Sequence, residues 1–183
     1  NFSAVLTLTG AAQIPKLRNT AKPGDHIYVT GTLGGSILGK HYTFEPRLAE
    51  GQWLAQRPTC SALMDLTDGL AKDLKALIPA HAHAALTVSE IPIASAAQTL
   101  SKQSGRSAME HACCDGEDYE LLFTMNPQVD RQLFETQWTE QFPQTELNHI
   151  GVIRPSSAMG SLIDSQTNTA LPWTHGFEHL KSE

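Results

Sequence analysis

Leu121, Leu122 and Phe123 put three large apolar side chains at consecutive positions within residues 119–124. Successive side chains of a strand point to opposite faces, so such a run needs apolar cover on both. A two-sided strand excludes a simple one-faced sheet and calls for helices above and below it. The rest of the chain supplies them. Leu70, Leu74, Leu77 and Ile78 recur at i, i+4, i+7 and i+8, and Pro79 stops the stripe. Helical patterns are also predicted over residues 46–60, 94–105 and 127–141. Strands are predicted over 2–9, 26–30, 84–88, 149–153 and 161–164. Interleaved in this way they make one α+β unit, with no internal repeat and no linker rich in Pro, Gly or Ser.

The 183 residues carry a net charge of −6, which excludes a general phosphate-backbone footprint of clustered Lys and Arg, so no nucleic-acid partner is expected. Charge is uneven along the chain. Residues 1–75 hold eight Lys or Arg against six acids, and the remainder five against thirteen. No apolar run approaches the length of a bilayer span, so no membrane partner is expected either. Cys60, Cys113 and Cys114 make an odd count without C-x-x-C spacing, and a reducing cytoplasm is the compartment this implies. His111 near Cys113 lacks a second ligand pair for zinc. Glycines 31, 34 and 35 match neither G-x-G-x-x-G nor a Walker loop and read as a tight strand-to-helix turn. No G-x-S-x-G elbow and no Ser, His, Asp arrangement stands out.

Two acidic clusters fall at element junctions. Asp65-Leu66-Thr67-Asp68-Gly69 opens the clearest helix, and Asp115-Gly116-Glu117-Asp118-Tyr119-Glu120 precedes the two-sided strand. The first admits two readings. Thr67 or Asp68 caps the helix with Asp65 a surface acid, or Asp65 and Asp68 offer hard oxygen donors to Mg²⁺ bridged to phosphates, beside a helix N-terminus that favours anions. The second is either a solvated turn or, because it feeds a central strand, part of a site.

In order along the chain, Lys22-Pro23-Gly24-Asp25-His26-Ile27-Tyr28-Val29-Thr30-Gly31-Thr32-Leu33-Gly34, Pro46-Arg47-Leu48-Ala49-Glu50-Gly51, Asp65-Leu66-Thr67-Asp68-Gly69-Leu70-Ala71-Lys72-Asp73-Leu74, Gly116-Glu117-Asp118-Tyr119-Glu120-Leu121-Leu122-Phe123-Thr124, Ile150-Gly151 and Gly176-Phe177-Glu178-His179 resemble the C-terminal part of the thiamine-monophosphate kinase family, within the aminoimidazole ribonucleotide synthetase superfamily. The resemblance is colinear and covers nearly the whole chain. It implies a three-layer α/β/α sandwich on a mixed sheet over residues 21–183. Residues 1–20 would be a strand and connection from an N-terminal domain that the chain does not contain.

The implied activity is transfer of the ATP γ-phosphoryl group to thiamine monophosphate, giving thiamine diphosphate, with Mg²⁺ neutralising the phosphates. By the same resemblance Asp65 and Asp68 are metal ligands, Arg18 and Thr67 contact ATP, and Glu117, Asp118 and Phe177 face the substrate. The full-length protein would be a homodimer, and this chain alone would be inactive. Thr67 stands where the family has Ser, and Asp115 where it has Gly; residues 42–47 follow the family pattern loosely. Two alternatives are another ATP-dependent kinase or synthetase of the superfamily, which the 116–124 signature disfavours, and a stand-alone acidic metal-binding domain, for which no EF-hand spacing exists.

Overall fold

The computed structural model describes residues 4–12, 15–156, 158 and 160–177. Six strands form one sheet: β1 (His26–Thr30), β2 (Cys60–Asp65), β3 (Ala82–Leu86), β4 (Leu121–Met125), β5 (Leu147–Pro155) and β6 (Ser161–Asp164), in the order β2-β4-β1-β5-β3-β6. All pairs are antiparallel except β3 with β6, so the sheet is mixed. The helices are α1 (Lys40–Thr43), α2 (Leu48–Ala55), α3 (Leu70–Leu77), α4 (Ser95–Ser104), α5 (Ala108–Cys114) and α6 (Arg131–Gln141).

Every residue of β4 is buried, as the consecutive apolar run requires. Its side chains divide between two cores. Leu122 joins Ile27, Val29, Leu74 and Ala112 on the side of α3 and α5. Leu121, Phe123 and Met125 join Tyr28, Leu54, Phe134 and Trp138 on the side of α2 and α6. Two helical layers therefore enclose the sheet, giving the expected α/β/α sandwich. Trp138 stacks on Phe123 at 6.0 Å between ring centroids, and its indole N–H donates to Thr145 O at 2.8 Å, which satisfies the polar edge of a buried ring.

Two expectations need correction, and one helix is additional to them. Residues 4–9 form neither helix nor strand, and Val5, Leu6 and Leu8 are exposed; residues 2 and 3 lie outside the described part. Apolar alternation makes a strand only where another strand takes up its hydrogen bonds, and no described strand pairs with 4–9. The helix expected over 46–60 ends at Ala55, and Cys60–Asp65 is an edge strand whose Ser, Ala and Met content carries little strand preference. The seven-residue α5 was not anticipated, although its start was legible: Ser107 caps it by accepting the Glu110 N–H at 3.0 Å, and Ser-x-x-Glu is a capping spacing.

Candidate functional site

The end of β2, the turn before β4 and the segment at residues 176–177 meet at one edge of the sheet. Backbone bonds do the joining. Glu117 N–H donates to Thr67 O at 2.8 Å, Tyr119 N–H to Leu66 O at 2.9 Å, Leu66 N–H to Glu120 O at 2.8 Å and Phe177 N–H to Asp68 O at 2.8 Å. Thr67, Asp68, Glu117 and Phe177, far apart in sequence, are thus neighbours, with Asp65 at the last position of β2. Glu178 and His179 of the last matching motif lie outside the described residues.

In the loop before α3, neither Thr67 nor Asp68 caps the helix; the cap position is Gly69, at φ +100°, with no side-chain bond. The loop is organised from inside the helix, where buried Asp73 accepts the Thr67 and Asp68 amides, both at 2.9 Å. Burial raises the Asp73 pKa and the charges of Asp68 and Asp65 add to the rise, against the two amide bonds. Those two acids are left facing outward, Asp65 exposed and Asp68 paired with Lys72 at 2.8 Å on the surface. The capping reading of Asp68 therefore falls, and two outward oxygen donors on one loop fit part of a divalent-cation site. Among the described residues no three His, Cys, Asp or Glu side chains converge as a complete metal cage.

The turn at 115–120 is built differently. Glu120 is buried, with its carboxylate bonded to Lys40 at 2.9 Å, to Arg47 at 2.8 and 2.9 Å, and to the Thr30 hydroxyl at 2.7 Å. Burial alone would raise its pKa, but the Arg47 bonds and the Lys40 charge outweigh that and hold it below the usual value. Asp118 is 1% exposed; its Oδ1 accepts the Gly34 N–H at 2.9 Å, and its Oδ2 is buried without a partner. Burial pushes its pKa up to about 7. Asp118 therefore anchors the glycine turn, with its carboxyl buried beneath the loop. Among the acids at 117–120 that leaves Glu117, half-buried on the wall of a cavity of about 220 Å³ shared with Ile37, Leu100, Asp115 and Phe177.

Aiming Glu117 this way strains the backbone. Gly116, Glu117 and Tyr119 lie at φ +73°, +57° and +51°. A left-handed Tyr costs on the order of 1–3 kcal/mol and persists only where surroundings impose it. Here Tyr119 is held by its bond to Leu66 and by stacking on Phe44 at 4.0 Å between centroids.

The glycine turn behaves as the tight turn expected of it. Gly34, at φ +88°, has no room for a Cβ, which would sit 2.5 Å from the Ala112 backbone nitrogen. Its amide and that of Gly35 go to Asp118 and Asp115, so protein carboxylates occupy the donors a phosphate would need.

Sequence reasoning missed the arrangement around Asp115. His111 is buried; its Nδ1 lies 2.8 Å from Asp115 Oδ2 and its Nε2 2.7 Å from Ser104 Oγ. The spacing is that of a nucleophile relay, but Ser104 is the last residue of α4, where carbonyls point, and its Oγ accepts the Arg106 N–H at 3.1 Å. A helix C-terminus offers carbonyls and not N–H donors to an oxyanion, so the relay is read as locking α4 to α5. Arg106 spans Glu110 at 2.8 Å and Asp115 at 2.9 Å, also unanticipated because it lies in no matching stretch.

Arg18 lies along the same edge but toward the other end of β2. It is exposed in a turn whose neighbours are tied to the start of β2: Lys16 donates to Arg57 O and Cys60 O, and Thr20 to Ser61 O. Asp65 closes that strand about 16 Å away at ~3.3 Å per residue.

Comparison with known proteins bears on the fold and on the relatives of this chain. No family model matches the chain. A thiamine-monophosphate kinase of Rhodopirellula baltica is 39% identical over 138 residues, covering 75% of this chain and 44% of that protein. Two solved structures share the fold. The thiamine-monophosphate kinase of Stenotrophomonas maltophilia K279a superposes with a TM-score of 0.63 at 24% identity, covering 82% of this chain and 52% of that one. AaThiL complexed with AMPPCP and TMP gives 0.56 at 23%, covering 89% and 53%. The sandwich is accordingly of the aminoimidazole ribonucleotide synthetase type. By sequence and by fold, this chain is similar to one part of thiamine-monophosphate kinase and spans about half the length of the relatives it matches.

Proposed function

We propose that the protein containing this chain phosphorylates thiamine monophosphate with ATP. The observation that carries the reading is the joining of Thr67 and Asp68 to Glu117 and Phe177 through backbone bonds, since phosphoryl transfer depends on holding nucleotide and acceptor in fixed register. Asp65 and Asp68 hold Mg²⁺, which supplies charge neutralisation at the phosphates. A cation at Asp68 competes with Lys72 for the carboxylate. Thr67 presents its hydroxyl to ATP from the loop that Asp73 fixes, next to the N-terminus of α3, whose dipole favours the anion.

On the acceptor side Glu117 faces the substrate and Phe177 offers an aromatic face to a heteroaromatic ring. Asp118 and Glu120 position the turn without touching ligand. Arg18 reaches ATP phosphate only from beyond the β2 edge, a role that depends on how the chain at 1–20 is set in the whole protein. In this reading residues 1–20 connect to a preceding domain, residues 21–183 are the C-terminal domain, the full-length enzyme is a cytoplasmic homodimer, and the chain alone is inactive. Among the described residues no helix is long and apolar enough to cross a membrane.

The test is product formation. The protein translated from the complete reading frame, given Mg²⁺, ATP and thiamine monophosphate, yields thiamine diphosphate on chromatography, and the isolated chain yields none. Absence of product from the former overturns the kinase reading. Turnover by the latter overturns the need for a further domain.

A further inference from the structure

Two cavities adjoin the site. The inner one, about 220 Å³, is bounded by Ile37, Leu100 and Glu117; the outer one, about 470 Å³, by Glu110, Cys114 and His175. Both have Arg106, Asp115 and Phe177 in their walls, so these three residues form the partition between them. The polar half of that partition is rigidly held. Arg106 is fastened at both ends, by Glu110 and Asp115, and Asp115 is itself fixed by His111 and by the Gly35 amide at 3.2 Å.

Size then becomes selective. A cavity of about 150 Å³ accepts one benzene ring, so the inner cavity, at about 220 Å³, has room for a single substituted ring. The order of groups gives the direction. The acidic loop at 65–68 is bonded to Glu117 and Phe177, these line the inner cavity, and Arg106 stands on its boundary with the outer one. With the phosphate of thiamine monophosphate at the loop, its thiazolium ring comes next and its aminopyrimidine, the ring remote from the phosphate, reaches farthest.

Resting on the kinase reading above, we infer that Arg106, held by Asp115 and Glu110, is a specificity-determining residue: it walls off the outer cavity and sets the largest substituent the remote ring of the substrate can carry. The pair excludes ligands by bulk.

The protein of the complete reading frame is titrated calorimetrically, with Mg²⁺ and a non-hydrolysable ATP analogue present. The two ligands are thiamine monophosphate and an analogue whose 2′-methyl on the pyrimidine is replaced by butyl. The wild type binds the butyl analogue at least tenfold more weakly than thiamine monophosphate, Arg106→Ala brings the two within threefold, and Arg106→Lys, which lacks the two-ended fork, falls between. Melting curves establish which variants are folded, and Arg106→Lys carries the comparison if the alanine variant is not. An unchanged ratio in a folded variant, including equal loss of both ligands, overturns this inference alone. Failure of thiamine monophosphate to bind the wild type overturns the kinase reading and this inference with it.

Discussion

The acids at 65–73 and those at 115–120 are similar in number and both sit where a loop meets a regular element, yet the fold uses them in opposite ways. In the first loop one carboxylate, Asp73, is buried to hold the backbone, and two are turned outward with at most a surface partner. In the second turn three carboxylates are committed to internal partners, Asp115 to Arg106 and His111, Asp118 to Gly34, Glu120 to Lys40 and Arg47, and one, Glu117, reaches the cavity in a strained conformation. Acid content does not mark a binding residue. What the carboxylate is already bonded to does.

Substitutions test that contrast, beginning with the largest effect on stability. Glu120→Gln leaves two cations gathered around a neutral amide and is expected to destabilise the fold by about 3 kcal/mol in a urea titration; a loss under 1 kcal/mol would mean that the buried network contributes little. Asp118 comes next and acts through pH. Its folded pKa of about 7 lies above the ordinary 3.8, so the folded state binds the extra proton, and stability falls as pH rises from about 4 to about 7. In Asp118→Asn that slope disappears and the variant is the more stable at pH 8, as melting curves across pH will show. A wild-type slope of the opposite sign would disprove the assignment.

Smaller effects separate function from scaffold. Glu117→Gly removes a left-handed side chain and is expected to stabilise the fold by up to about 1 kcal/mol while weakening thiamine monophosphate binding at least tenfold by calorimetry. If stability drops instead, Glu117 belongs with the internally bonded acids. Smallest of all, Asp68→Ala loses an exposed ion pair worth within about 0.5 kcal/mol and leaves the melting curve in place. Product formation by the full-reading-frame protein nevertheless falls at least a hundredfold; retained activity would return Asp68 to the status of a surface acid.

Much of the fold was legible because the residues that make it obey simple periods. Leu121 to Phe123 required a two-sided strand, and Leu70, Leu74 and Leu77 required an amphipathic helix; both exist with the expected faces buried. The edge strand at 60–65 was hidden because its side chains are small and its identity comes from pairing with β4. Residues 4–9 show the converse, an apolar pattern with no described partner to turn it into a strand.

For the site, residue types and motif order singled out the loop at 65–68, Glu117, Asp118 and Phe177 as candidates, and the structure makes their segments neighbours. Residue types and motif order did not separate Glu117 from Asp118, adjacent in sequence and identical in charge. Only the tertiary structure did, because one amide, that of Gly34, lies where it bonds Asp118 and buries it. The same holds for Arg106, which no motif includes and which matters through partners at 110 and 115 and the two cavities it divides. Local pattern fixes which elements form, since it acts over one turn or one pleat. Which polar group is left over for a ligand depends on every other group having found its partner, and those partners come from the whole chain.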